Sequence, residues 1–246
     1  MKKIILDIGN SVSKVAIYKD SLLIELFKIE ALSESEIQKI LHIHPDISHS
    51  ILSSVKEFPV EIENILRSKT NYYKPTTTDS LPLKIIYDTP ETLGFDRVAA
   101  AIGGFSIFPD ENILVITVGT CIIYDVVDKA GNYLGGAISP GIDLRLKSLH
   151  TFTGKLPLVE KQQIFPALGT NTRDSILCGA INGLKLEMEG FINQIKGQFP
   201  GLKVILSGGD AFYFDKNLNY SIFAVPNIVT AGLNAILDFH AKNELF

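Results

Sequence analysis

Near its start the chain carries short apolar runs broken by turn residues. Ile4–Ile8, Val12–Tyr18 and Leu22–Lys28 are separated by Gly9-Asn10-Ser11 and Lys19-Asp20. Glycine, asparagine and aspartate at such breaks suit tight reversals, so the pattern predicts a three-stranded antiparallel meander. Ser33 followed by Glu36 is a capping box, and Ile37, Ile40 and Leu41 follow it at helical spacing. His49–Val55 reads as a strand. Pro59–Arg67 reads as a short helix with Ile62, Ile65 and Leu66 on one face. Thr70–Tyr73 and Leu83–Tyr87 are strand-like, Lys74–Pro82 is a loop, and a helix is expected over Gly94–Ile107.

The pattern then restarts. Ile113–Val118, Cys121–Val127 and Tyr133–Ile138 form a second set of three strand-like runs, with Gly119-Thr120 and Ala130-Gly131-Asn132 at the turns. Helices are expected over Pro140–His150 and from about Thr172 to Gln198. Val204–Ser207 reads as a strand leading through Gly208-Gly209-Asp210-Ala211 into a helix, and a last helix is expected over about Val225–Ala241. Laying Lys3–Asn10 over Ile113–Thr120 superposes Gly9 on Gly119. The identity is slight, and any two hairpins look somewhat alike. The repeated order of elements, however, predicts a duplicated α/β architecture with a cleft between its halves, 1–111 and 112–246. Two glycine turns offering backbone N–H groups suit a polyanion such as a nucleoside triphosphate.

Length and composition narrow the class. At 246 residues the chain is one large domain or two small ones. Lys plus Arg is 23 and Asp plus Glu is 27, a net charge of −4, which excludes a strongly basic surface for nucleic acid. Cys121 and Cys178 cannot make a disulfide framework, so a reduced, cytoplasmic protein is expected. The apolar run after Met1 is too short for a signal peptide, and Val98–Pro109 falls short of the roughly 20 residues that span a bilayer. No membrane partner is expected.

Within that frame a few polar residues stand out. Asp7 sits in an apolar strand beside the first glycine turn, where an unpaired carboxylate would be costly to bury. Gly9 admits a phosphate close to the backbone. Asn10, Ser11 and Ser13 add donors, Lys14 adds positive charge, and Asp7 could hold Mg²⁺ directly or through water. A hairpin with polar turn residues would look the same. Asp96 lies in the first turn of a helix opened by Gly94-Phe95-Asp96-Arg97. Plain capping explains it, and so does a general base with an anion-binding arginine beside it. Thr120 could bond phosphate oxygens. Asp125 reads most simply as the solvated side of a strand. Gly135-Gly136-Ala137-Ile138-Ser139-Pro140-Gly141 implies close backbone packing or a helix N-terminus aimed at an anion. Gly169-Thr170-Asn171-Thr172 suits a helix cap. His42, His44, Asp46 and His49 cluster without a zinc-like spacing, and neither a Walker loop nor a GxGxxG is present.

Taken in order, Asp-x-Gly-Asn-Ser, Gly-x-Asp-Arg, Gly-Thr, Gly-Gly-x-Ile-x-Pro-Gly, Gly-x-Asn-Thr and Ser-Gly-Gly-Asp-Ala resemble type III pantothenate kinase, a family of the acetate and sugar kinase, heat-shock ATPase and actin superfamily. The resemblance spans Lys3 to about Leu237. It implies two tandem ribonuclease H-like halves, each a mixed five-stranded sheet with helices. It implies a phosphotransferase with an alcohol acceptor, moving the γ-phosphoryl of ATP to pantothenate to give 4′-phosphopantothenate, the first step of coenzyme A synthesis. Asp7, Ile8, Gly9, Asn10, Ser11, Val12, Ser13 and Lys14 would form the first phosphate loop, with Thr120 as a second ATP contact. Asp96 would be the catalytic base. Tyr87, Gly94, Phe95, Asp96, Arg97 and Thr172 would bind pantothenate. The resemblance also implies Mg²⁺ and a homodimer formed mostly by the second half, which would also hold the nucleotide site. The family's monovalent cation, K⁺ or NH₄⁺, is bound by an aspartate three residues before the threonine of Gly-Thr. This chain has Thr117 there, a weaker ligand, so that site is expected to be lost or altered. Ile123 stands where the family tends to have threonine, and Ser11 where it has threonine. Other readings are a non-catalytic accessory relative of the same fold, or a kinase for another small hydroxyl compound. Keeping Asp7, Asp96, Arg97 and Thr172 together argues against the former.

Overall fold

The computed structural model describes residues 1–163 and 166–243. The chain divides into two compact units. Unit 1 holds Met1–Asp110, Ala130–Leu134 and the chain from Asn227 onward, and unit 2 holds Glu111–Lys129 and Gly135–Pro226.

Unit 1 is built on a five-stranded sheet of β1 (Lys2–Ile8), β2 (Ser13–Lys19), β3 (Leu22–Ile29), β4 (His49–Ser54) and β5 (Asn71–Tyr73), in the order β3-β2-β1-β4-β5. β1 runs antiparallel to β2 and parallel to β4, so the sheet is mixed. Alternation along β1 sorts its side chains. Ile4, Leu6 and Ile8 join Val15, Ile17 and Leu52 in a core closed by Ile37 and Ile40 of α1 (Glu34–Ile43) and Ile62 and Leu66 of α2 (Val60–Lys69). Lys3, Ile5 and Asp7 face the other way. There α3 (Phe95–Ile107) and α7 (Ile228–Lys242) lie against the sheet. These two helices cross closely. A Cβ at Gly232 would lie 1.7 Å from the Ala99 carbonyl oxygen, and one at Gly103 2.5 Å from that of Ile228. Lys3 is fully buried, and its Nζ donates to Asp238 of α7 at 2.5 Å. A two-residue strand, β6 (Lys84–Ile85), pairs in parallel with Asn132 and Tyr133.

Unit 2 repeats the scheme. β7 (Ile113–Val118) runs antiparallel to β8 (Cys121–Val127) and parallel to β10 (Lys203–Ser207). With β9 (Asn132–Pro140) and β11 (Phe223–Ala224) the order is β9-β8-β7-β10-β11, the same as in unit 1. Leu114, Ile116, Tyr124 and Leu206 pack under α4 (Ile142–Thr151), α5 (Thr172–Leu177) and α6 (Gly183–Gln198) through Leu146, Leu177, Leu184 and Met188.

Several expectations need amendment. The second sheet has six strands rather than five, because β6 extends it beyond β9. The last helix belongs with the first unit rather than with 112–246, because its small-residue face fits against α3. It starts at Ile228 rather than Val225: Pro226 precedes Asn227, which sits in the left-handed region at φ 61°. The helix expected from Thr172 to Gln198 is interrupted by a π turn at Cys178–Asn182. Ala211 opens only a 3₁₀ turn to Tyr213.

Candidate active site

The first candidate cluster lies in unit 1, at the end of β1. Register places Asp7 directly opposite Lys14 on β2 and beside Ser53 on β4, with Lys14 in turn opposite Lys28. These side chains share the face that α3 and α7 cover. Burial lifts the Asp7 carboxyl from 3.8 to about 6; Lys14 opposes that shift and Asp96 adds to it. Burial likewise holds the Lys14 ammonium below its usual value, against the pull of Asp7. Ser53 Oγ is buried with no hydrogen-bond partner. The turn that follows is tight: a Cβ on Gly9 would lie 2.8 Å from the Val12 carbonyl oxygen. Asn10, Ser11 and Val12 are exposed at its tip, and Lys56 donates to the Asn10 carbonyl at 3.2 Å. Ser13 is separated from this group. It shares the face of Ile8 and Val15, and its Oγ is buried and unpartnered.

Asp96 enters the same neighbourhood from the N-terminus of α3. Burial raises its carboxyl above the ordinary range, partly offset by backbone N–H groups of the first turn and by Arg97. Gly94 makes room for this, since a Cβ there would meet Asp96 Oδ1 at 2.6 Å. Arg97 is buried, with its guanidinium carbon 5.8 Å from the centre of the Tyr87 ring. The Tyr87 ring stands 6.2 Å from that of Tyr133. Asp7, Lys14, Tyr87, Asp96 and Arg97, picked from the sequence, therefore all lie in unit 1, with Asp7, Lys14 and Asp96 in electrostatic contact. Tyr133 escaped the sequence reading because its apolar strand context gave no sign of it.

Unit 2 carries the remaining candidates. The Gly119-Thr120 turn is packed from two sides. Gly141 donates to the Thr120 carbonyl at 3.0 Å, and a Cβ on Gly208 would lie 2.1 Å from the Val118 carbonyl oxygen. Asp210 donates its N–H to the same Val118 oxygen at 3.1 Å, and Lys161 bridges Asp210 to Asp143 at 2.9 and 2.7 Å. Thr117 lies between Ile123 and Ser207 in the sheet, with its Oγ1 buried and without a hydrogen-bond partner. Asp125 is buried rather than solvated, at 1% exposure. Thr172 is exposed at the start of α5, where Asn171 accepts the Asp174 N–H at 3.0 Å and so caps the helix. It borders a surface hollow shared with Leu149, Leu156 and Gly179.

Comparison with known proteins gives the family. The family model described as type III pantothenate kinase matches residues 3–194. A type III pantothenate kinase of Bacteroides fragilis strain YCH46 is 40% identical over 247 residues, covering 96% of this chain and 98% of that protein. One of Flavobacterium johnsoniae is 37% identical, covering 97% and 98%. Among solved structures, a Campylobacter jejuni protein named for the Baf family of transcriptional activators aligns with a TM-score of 0.63 at 20% identity, covering 97% of this chain and 99% of that one. Component A of (R)-2-hydroxyglutaryl-CoA dehydratase from Acidaminococcus fermentans aligns at 0.55 with 14% identity, covering 99% of each. At these identities the structures speak to the fold alone, an α/β architecture with two mixed sheets, whereas the sequence matches extend over nearly the whole chain. The chain belongs to the type III pantothenate kinase family.

Proposed function

We infer that this protein transfers the γ-phosphoryl group of ATP to the primary hydroxyl of pantothenate, yielding 4′-phosphopantothenate and ADP at the entry to coenzyme A synthesis. The observation that carries the reading is the half-buried Asp96 carboxylate at the head of α3, in the same electrostatic cluster as Asp7 and Lys14. Phosphoryl transfer is chiefly positioning and charge neutralisation. Lys14 and the Gly9–Val12 turn hold phosphate oxygens, and Thr120 contributes a second contact. Asp96 accepts the proton of the substrate hydroxyl as its oxygen bonds to the γ-phosphorus and the bond to the bridging oxygen of ADP breaks. The buried Arg97, flanked by Tyr87, holds an anionic group of the substrate. Thr172 adds a hydroxyl to the pantothenate site.

Asp7 suits Mg²⁺. It is a half-buried oxygen donor, with too few carboxylates around it for a full cage, which matches an ion that keeps waters and substrate phosphates as ligands. When bound, the ion supplies charge neutralisation on the triphosphate. At the monovalent cation position, Thr117 offers a neutral hydroxyl, so turnover should not depend on K⁺ or NH₄⁺. Exposed Phe152, Leu158, Leu168 and Leu186 in unit 2 support a homodimer formed through that unit.

The test is ADP release from the purified protein with Mg-ATP, with and without pantothenate, in K⁺, Na⁺ and cation-free buffers. Pantothenate-dependent release is expected in all three. Asp96→Asn should lower kcat by at least about 10²-fold while still binding ATP. Near-native turnover in that variant removes Asp96 as the base, and no turnover by the wild type in any buffer removes the reading itself.

A further inference from the structure

The segment Ser139-Pro140-Gly141 carries the chain from β9 into α4, and its fit against the Gly119-Thr120 turn leaves no slack. A Cβ on Gly141 would lie 2.0 Å from the Gly119 carbonyl oxygen and 2.6 Å from that of Thr120. Any shift of Gly141 therefore pushes directly on the turn. Arg145 grips this segment from the first turns of α4. Its Nε donates to the Pro140 carbonyl at 2.8 Å and its Nη2 to Ser139 Oγ at 2.9 Å. Nη2 also donates to Glu187 Oε2 on α6. The other oxygen of Glu187 accepts the Tyr124 hydroxyl at 3.1 Å, and the Tyr124 ring stacks on Phe191 with centroids 4.4 Å apart. The guanidinium thus ties the end of β9 to a helix and a strand of the unit 2 core.

An ion pair in which both side chains keep over a fifth of their surface, as Arg145 and Glu187 do, adds little stability. What this one adds is geometry. A planar fork serves a backbone carbonyl, a hydroxyl and a carboxylate at once, which a lysine ammonium on its flexible stem cannot reproduce. We propose that Arg145 is a positioning residue for the nucleotide, holding Ser139–Gly141 so that Gly141 fixes the turn that presents Thr120. This rests on the reading that Thr120 contacts ATP.

The experiment compares the full-length wild type with Arg145→Met, Arg145→Lys, Thr120→Ala and the Arg145→Met/Thr120→Ala double variant. Three quantities are read: KM for ATP and for pantothenate, kcat, and the calorimetric Kd for Mg-ATP without pantothenate. Arg145→Met should raise KM and Kd for ATP on the order of tenfold, with KM for pantothenate within about twofold. Arg145→Lys should recover less than half of that loss on a logarithmic scale. In the double variant the loss should be smaller than the product of the two single losses, because both act through one turn. If Arg145→Met fails to fold, Arg145→Lys alone carries the comparison. A lower folded fraction with unchanged ATP constants, or multiplicative losses in the double variant, overturns the proposal. Binding separates the two readings. A wild type that binds ATP without phosphorylating pantothenate overturns the kinase reading only, and one that binds no ATP overturns both.

Discussion

Asp7 is the residue at which folding and the proposed function pull apart. Its raised value means that the folded chain binds a proton more tightly than the unfolded chain between pH 3.8 and about 6. Stability therefore falls as pH rises through that window and stays lowered above it. In magnesium-free buffer at about pH 7.5, Asp7→Asn should unfold at higher denaturant, by roughly 2 kcal/mol. The gap should narrow near pH 5, and Mg-ATP should no longer stabilise the variant. Equal stability of the two proteins at both pH values would show that the carboxylate is not strained. Asp7 was legible in the sequence because a lone acid in an apolar strand is conspicuous. Asp96 and Arg97 were less so, since a helix cap uses the same letters, and only the order of motifs raised them above that reading. The Arg145–Glu187 pair gave no signal at all, because its partners are 42 positions apart and meet only through tertiary packing.

Among the elements, α3 matters most, since it carries Asp96 at one end and is positioned by α7 along its length. Gly103 and Gly232 let the two backbones approach to a distance that no side chain tolerates. Gly232→Ala should cost about 1–3 kcal/mol by overpacking. Because α3 must move as a body, kcat should fall while KM for ATP stays near the wild-type value. A variant that loses stability with kcat intact would mean that the crossing does not set the position of Asp96. Most elements were readable from periodicity alone, including the restart at Ile113. Those that were not share a cause. β11 is two residues long, below any periodic signal, and the π turn at Cys178–Asn182 leaves the apolar pattern of the helix nearly unchanged. The start of α7 depends on a single left-handed residue, Asn227.

At the scale of the molecule, the repeated strand order β3-β2-β1-β4-β5 and β9-β8-β7-β10-β11 was foreshadowed by the superposition of Gly9 on Gly119. The return of the last helix to the first unit was not, because sequence order suggests that contiguous halves stay contiguous. Lys3 and Asp238 are 235 positions apart, and without that carboxylate the Lys3 ammonium would be buried alone. A chain truncated after Pro226 should therefore keep a protease-resistant unit 2 and leave unit 1 open to cleavage. Equal resistance of both units would show that α7 is dispensable. The same pairing sets a clock. A ribosome working at roughly 5–20 residues per second delivers β1 first and α7 last, so the first strand made waits for the last helix. Unit 2, begun more than a hundred residues later, has all its segments out before unit 1 does. Nascent Lys3, Ile5 and Asp7 spend that interval without α7 over them, which makes this sheet face the stretch of the newborn chain most in need of a chaperone.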